Sequence, residues 1–246
     1  GKSDLYKSGE QVFHEYWPLQ GPPEELTRIY RSMNWGPHVE MFILDTRSYR
    51  AVHEDHDKDE FTTPVMEHIL GDTQKQWLLD GLRQSTKTWK FIATSVPLAY
   101  PTGWPRPEET GYDGWSDGNW DHISGPEIEL QEIFKCIRDH HIKNVIFLSG
   151  DVHFPFCISY DPFEDGEPLV YEIGATPFHA LCLPPPERGP DNTFKPTVLF
   201  ADGKFADQSF LNFGQVIIDD NANFQFHIRD KLGDSIYELN LAPKHS

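Results

Sequence analysis

Cysteine is scarce in this chain. Cys136, Cys157 and Cys182 are the only three in 246 residues, and no Cys-x-x-Cys pair occurs. An odd number leaves at least one thiol unpaired, so a disulfide framework is excluded as the main source of stability. Positive charge is scarce as well. The chain has 21 Lys and Arg against 39 Asp and Glu, a formal charge of −18. That balance excludes a nucleic-acid-binding surface. No apolar run approaches the roughly 18 residues of a membrane-spanning helix. GKSDLYKSGE at the start holds no signal-peptide core and reads like the interior of a longer chain. Repeats and low-complexity tracts are missing, and so is a phosphate-cradling Walker sequence. LSG at 148–150 lacks the first glycine of a nucleophile elbow.

Material for a core is plentiful: 38% of residues are hydrophobic and seven are Trp, so disorder is not the expectation. The acidity would repel a phosphate-bearing substrate, unless bound cations reverse the field locally.

EQVFHEYWPL (10–19) reads as a short helix stopped near Pro18, and HVEMFILDTRSYR (38–50) offers a strand over Val39–Leu44. GDTQKQWLLDGLRQS (71–85) predicts a helix with Asp72 or Thr73 at its N-cap and Trp77, Leu78 and Leu82 on one face. TWKFIATSVPL (88–98) is a strand. PEIELQEIFKCIRDHHI (126–142) is a helix begun by Pro126, with Ile128, Ile133, Phe134 and Ile137 inward. NVIFLSGDVHF (144–154) carries a continuous apolar run suited to a strand covered on both faces. Strand, helix, strand, helix, strand implies a parallel sheet with crossover helices. After His153, FPFCISYD, PLVYEIG, FGQVIIDD, NFQFHIRD and DSIYELNL read as short strands, with hairpin turns at DDNANF and RDKLGDS. The expected fold is therefore α/β, with parallel strands first and antiparallel hairpins at the carboxyl-terminal end.

Asp151 and His153 stand where the buried strand leaves the sheet, the usual place for functional groups in parallel sheets. In an extended segment their side chains would project to one side with Cα atoms about 6.5–7 Å apart, within reach of one metal ion or two adjacent ones. Gly150 would supply the sharp turn. The alternative is a capped polar loop with an Asp–His hydrogen bond. Asp45 and Arg47 follow the strand MFIL and should emerge at the same edge. Arg47 is a candidate to orient a phosphate through its planar fork, or a pin between strand ends through Asp45. Arg50 reads as structural. The loop from Pro101 to Gly125, with Trp104, Tyr112, Trp115 and Trp120, is long and aromatic enough for a site wall. Packing of its own aromatics explains it equally well. HEDHDKDE (53–60), with His53 and His56, reads as a solvated loop or a weak calcium site. His122, His140 and His141 need no function, and Cys136 and Cys157 read as small buried hydrophobes.

Taken in order, LDTRSYR, GDTQKQWLLDGLRQSTKTWKFIATSVPL, DGW at 113–115 and VIFLSGDVH strongly resemble the PhoD-type alkaline phosphatases, within the calcineurin-like metallophosphoesterases. FHEYWP (13–18), YRSMNWG (30–36), NFGQVIID and HIRDKLGDSIYEL extend the resemblance over nearly the whole chain. It implies a layered β-sandwich flanked by helices, hydrolysis of phosphate mono- or diesters, and a dinuclear centre of iron and calcium. It makes Asp151 and His153 metal ligands and suggests an extracellular or periplasmic address. Ser95 stands about where related purple acid phosphatases carry a metal-binding His. A hydroxyl is a poor ligand for a transition metal, so Ser95 is a candidate to bond an anion or a metal-bound water.

Family members begin with an earlier, strand-rich half that supplies most metal ligands. Residues 1–246 then correspond to the carboxyl-terminal part of one metallophosphoesterase domain. The expected partners are a phosphate-ester substrate and the amino-terminal half, supplied by another chain or a cleaved fragment. Two rivals stand beside this reading: a non-catalytic subunit that keeps the fold and binds a partner chain, and a metal-dependent hydrolase of another ester.

Overall fold

The computed structural model describes residues 4–19, 21–52, 66–102, 113–116, 118, 123 and 125–245. His53, His56, Trp104, Tyr112, Trp120 and His122 lie outside the described residues.

Three apolar runs build the centre: β2 (Val39–Ile43), β5 (Trp89–Ala93) and β6 (Val145–Ser149). They pair in parallel, β2 with β5 and β5 with β6, and β6 continues in parallel to β8 (Val170–Gly174). Antiparallel strands flank them. β1 (Arg31–Trp35) lies outside β2, while β7 (Phe156–Tyr160) and then β9 (Pro196–Ala201) lie outside β8. The order is β1-β2-β5-β6-β8-β7-β9. A short pair, β3 (Ala51–Val52) and β4 (Met66–His68), stands apart.

Helices α2 (Gly71–Gln84) and α3 (Pro126–Asp139) cover one face of this sheet. Leu78 and Leu82 of α2 and Leu130, Ile133, Phe134 and Ile137 of α3 pack there on Phe42, Ile92 and Phe147. The other face carries an antiparallel layer of β10 (Asn212–Ile218), β11 (Phe224–Asp230) and β12 (Ser235–Leu241). Alternation in β11 turns Phe224, Phe226 and Ile228 inward onto Val39, Trp89, Phe91 and Ile146. Trp89 packs against Phe224 with the rings tilted by 35° and their centroids 5.1 Å apart, and donates its indole N–H to the Ala222 carbonyl at 2.8 Å. The layered α/β sandwich is thus the observed fold.

The hairpin turns fall where Asp and Asn predict them. Asp219 accepts the amides of Asn221 and Asn223, and Asp230 accepts those of Leu232 and Asp234. All three cysteines are free and buried, and burial pushes the Cys157 thiol up to about 12.

Several expectations need correction. Helix α1 runs over Asp4–Tyr16, one turn and more earlier than predicted, and ends before Trp17–Pro18 because a residue preceding proline avoids helical backbone. Ile128 is exposed at 50%, being on the solvent side of α3. Neither Asp72 nor Thr73 caps α2; Leu70 occupies the N-cap position without a side-chain bond. The buried carboxylate of Glu129, from the first turn of α3, takes over. It accepts the amides of Ile69, Leu70 and Gly71 at 2.8, 3.0 and 3.0 Å.

Candidate functional site

Because β2, β5 and β6 are parallel and adjacent, Asp45, Ser95 and Asp151 leave the sheet at one edge. Asp45 is buried, and its carboxylate accepts the backbone amides of Arg47 and Ser48 at 3.0 and 2.9 Å. This turns the chain tightly back after β2. Gln74, wholly buried in α2, holds the same point from behind: it accepts from the Asp45 N–H at 2.8 Å and donates to its C=O at 2.9 Å.

The expected pin between Arg47 and Asp45 is therefore a backbone bond only. The guanidinium goes elsewhere. Arg47 makes a two-pronged pair with Asp113, at 2.5 and 3.1 Å. Arg50 donates to the same carboxylate, to the Asp113 carbonyl at 2.9 Å and to the Thr46 carbonyl. One carboxylate thus faces two guanidinium groups. Burial pushes the Arg50 guanidinium down from its ordinary range, and Asp113 and Asp151 act in the opposite sense. Asp151 is therefore close enough for its charge to be felt there. Arg50 keeps 12% of its side chain exposed and Arg47 56%, so Arg47 is the one able to meet a ligand.

DGW explains its own place. Asp113 anchors the two arginines, and Trp115, wholly buried, donates its indole N–H to Thr94 Oγ1 at 3.0 Å. Trp115 is packing rather than an open site wall. Ser116 has Gly-x-Ser-x-Gly spacing with Gly114 and Gly118, but it is 2% exposed and bonds Asp191 at 2.7 Å. That is no presentation for a nucleophile. Ser95 is exposed and shares a short hydrogen bond with Thr46 Oγ1, tying the exits of β5 and β2 together.

At the exit of β6 the backbone departs from the extended path expected. Asp151 has φ +73° and His153 φ +64°, both in the left-handed region. The Val152 amide donates to the Gly150 carbonyl at 3.0 Å, closing a three-residue turn around Asp151 of the rare, strained kind. Gly150 does not supply the turn; Asp151 itself does. A Cβ on Gly150 would meet no atom of the described residues within 4 Å. Asp151 is exposed, whereas His153 lies partly buried with an Nδ1 that is buried and, among the described residues, has no hydrogen-bond partner. A buried, unbonded ring nitrogen is costly unless a further group satisfies it. An aspartate oxygen and an imidazole are a fitting start to a metal site. Two donors do not complete one. Among the described residues no group of three or more His, Cys, Asp or Glu side chains converges to hold an ion, so these residues by themselves do not fit a closed metal centre.

Sequence reasoning missed Glu172. It sits wholly buried in β8 and accepts from Ser149 Oγ at 2.7 Å, the Leu98 amide at 2.9 Å and the Tyr160 hydroxyl. Burial raises its carboxyl above the ordinary range, and the three donors oppose that. It knits β6, β7 and the β5 exit directly beneath the candidate site.

The sequence pattern of PhoD-like phosphatases matches residues 2–228. Alkaline phosphatase D of Bacillus subtilis (strain 168) is 28% identical over 155 residues, 58% of this chain and 24% of that protein. The chain thus spans about a quarter of the length of that curated relative. The solved structure of PhoD matches with a TM-score of 0.57 at 17% identity, covering 97% of this chain and 49% of that one. A purple acid phosphatase from yellow lupin (Lupinus luteus) seeds gives a TM-score of 0.49 at 11% identity, over 90% and 34% of the two chains.

Proposed function

The chain belongs to the PhoD-like phosphatase family, and from that premise we propose that it forms the carboxyl-terminal part of a metal-dependent phosphate-ester hydrolase. The observation that carries this reading is the exit of β6. There a strained turn, φ +73°, aims Asp151 outward, and His153 Nδ1 lies buried without a partner among the described residues. Strain of this kind costs of order 1–3 kcal/mol and persists where surrounding structure holds it for a purpose.

In this proposal Asp151 and His153 are two ligands of a metal centre whose other donors come from polypeptide outside the described residues. Iron and calcium are the first ions to test. Such a centre would neutralise charge on a phosphoryl group and activate a water. The chain's own contribution beside it is positioning. Arg47 stands half-exposed at the same edge; Asp113 holds its end fork, and its remaining outward N–H donors are available to a phosphate oxygen. Arg50 and Asp113 keep that fork in place, and the exposed Ser95 hydroxyl offers one further donor to an anion. Phosphate mono- and diesters are the substrate class that this arrangement favours.

The test compares the protein purified from its native source with the 246-residue chain expressed alone. Metal content is measured by mass spectrometry, and turnover with a phosphate monoester, a phosphodiester and a carboxylic ester. The native protein should contain metal and hydrolyse a phosphate ester, and Asp151→Ala should remove both. If the native protein holds no metal and turns over none of the three, the non-catalytic reading replaces this one. Hydrolysis of the carboxylic ester alone would change the substrate class.

A further inference from the structure

The flank of the large sheet beside β1 holds a hollow that the chemistry at the strand exits does not use. β1 and β2 pair so that Ser32 stands opposite Phe42 and Asn34 opposite Glu40. Residues directly opposite share a face. Phe42 packs on the helix side, so all four point to that side. Helix α2 covers only part of this strip. Gly81 brings it close down onto β2, for a Cβ there would meet the Phe42 ring at 2.5 Å. Between the flank of α2 and β1 remains a trough of about 500 Å³, within the range of small-ligand sites.

The walls of the trough are fixed. Trp77 of α2 lines it, half-buried and packed against the rings of Tyr30 at 4.9 Å and Phe42 at 5.9 Å. One end is closed by the turn after α2. There Lys87 donates to the carbonyls of Gly36 and Pro37 at 3.4 and 3.2 Å, which ties that turn to the β1–β2 hairpin.

The charges around it are already engaged. Asp80 accepts from Arg83 at 2.9 Å and from Gln76 at 3.0 Å, and Glu40 faces the buried Lys90, its neighbour in register on β5. Two carboxylates do not hold a cation, and among the described residues no third metal donor joins them. What is left to bond a ligand is uncharged: Ser32, Asn34, Gln84 and Ser85. Ser85 Oγ carries the argument furthest. It borders the trough, is buried and, among the described residues, has no hydrogen-bond partner. A buried hydroxyl left unbonded costs stability, and a ligand that reaches it removes that cost.

We propose that this trough binds a neutral polyhydroxy compound, a sugar or sugar alcohol of one or two units. Every hydroxyl of such a ligand both donates and accepts, which matches hydroxyl and amide side chains that do the same. The apolar C–H face of a sugar ring suits the exposed part of the Trp77 indole, a large apolar surface with little freedom to lose. The trough lies on the β1 flank, whereas Asp151 and His153 stand at the exit of β6. Its occupant therefore does not compete with a phosphate ester, and the proposal stands apart from the hydrolase reading.

Saturation-transfer NMR tests this on the protein and its variants expressed in the native source, with glucose, N-acetylglucosamine, maltose and sorbitol as probes. Calorimetry with inorganic phosphate and with calcium supplies the charged comparison. At least one of the four polyhydroxy probes should bind. Asn34→Leu, at an exposed edge position, and Ser85→Ala should each weaken that binding by about 3- to 10-fold, the loss of one hydrogen bond. Ser85→Ala should also leave the melting temperature unchanged or raised, because it removes an unbonded hydroxyl; a fall would mean that Ser85 is structural and overturn its role as a ligand donor. Binding by none of the four probes overturns the proposal. So does binding that survives both substitutions, since the site then lies elsewhere, and so does binding of phosphate or calcium alone that Asn34→Leu abolishes. Phosphate-ester turnover is scored separately: both variants should match the parent, and a loss would mean that the trough is no independent site.

Discussion

Glu129→Ala should be among the most damaging single changes to the stability of this chain. The carboxylate is 4% exposed and accepts three consecutive amides, Ile69, Leu70 and Gly71, at 2.8–3.0 Å. Ile69 and Leu70 are fully buried, so no water replaces the lost acceptor. Leaving a buried donor unsatisfied costs about 1–3 kcal/mol, and bonds to a charged acceptor lie toward the upper end. Because the two buried amides share Oε2, taking about 1–2 kcal/mol for each of them and about 1 kcal/mol for the partly exposed Gly71 suggests a loss of about 3–5 kcal/mol. Favourable interaction of the carboxylate with the amino end of α2 points the same way. For a domain of this size each kcal/mol moves the melting temperature by roughly 2–4 °C, so calorimetry should record a fall of about 6–20 °C. Glu129→Gln keeps one carbonyl acceptor and should recover part of the loss. If Glu129→Ala melts within 2 °C of the parent, the tie between α3 and α2 is not what holds this corner, and the reasoning fails.

Asp151→Gly should separate function from stability. Glycine accepts φ +73° without penalty, whereas an ordinary residue there costs about 1–2 kcal/mol, partly offset by the greater freedom of glycine in the unfolded chain. Urea unfolding should show the isolated chain unchanged or up to about 1 kcal/mol more stable, while metal content and turnover of the native protein fall. A clear destabilisation would mean that the Asp151 side chain is structural. Glu172 should make stability depend on pH. Its carboxyl is raised by burial in the folded state, so the folded chain holds a proton that the unfolded chain has lost. That contribution is complete below the ordinary carboxylate range and is lost as pH rises through the folded value. Glu172→Gln should flatten this part of a melting-temperature profile across acidic to neutral pH; an unchanged slope would contradict the assignment.

The strands that carry the sheet were legible because each is predominantly apolar, interrupted only by Glu40 in β2, Lys90 in β5 and the closing Ser149 of β6, as a position between two layers requires. The edge strands were not. Arg31–Trp35 is polar enough to pass for a loop, and Pro196–Ala201 begins with a proline tolerated only because it opens an edge strand. The position of Asp151 and His153 at a strand exit was legible; their left-handed backbone was not, since the residue types alone predict an extended path.

Sequence alone determined the family, the order of the central strands and helices and the sheet edge at which Asp45, Ser95 and Asp151 emerge, because apolar periodicity is local and alternating strands and helices leave a parallel sheet as the expected arrangement. Tertiary structure decided who satisfies whom. Arg47 finds Asp113 66 positions away, and the amides before α2 find Glu129 from 58 to 60 positions away. No spacing rule encodes such pairs; they arise because buried charges and donors must take whatever complementary group the packed layers bring within 3 Å.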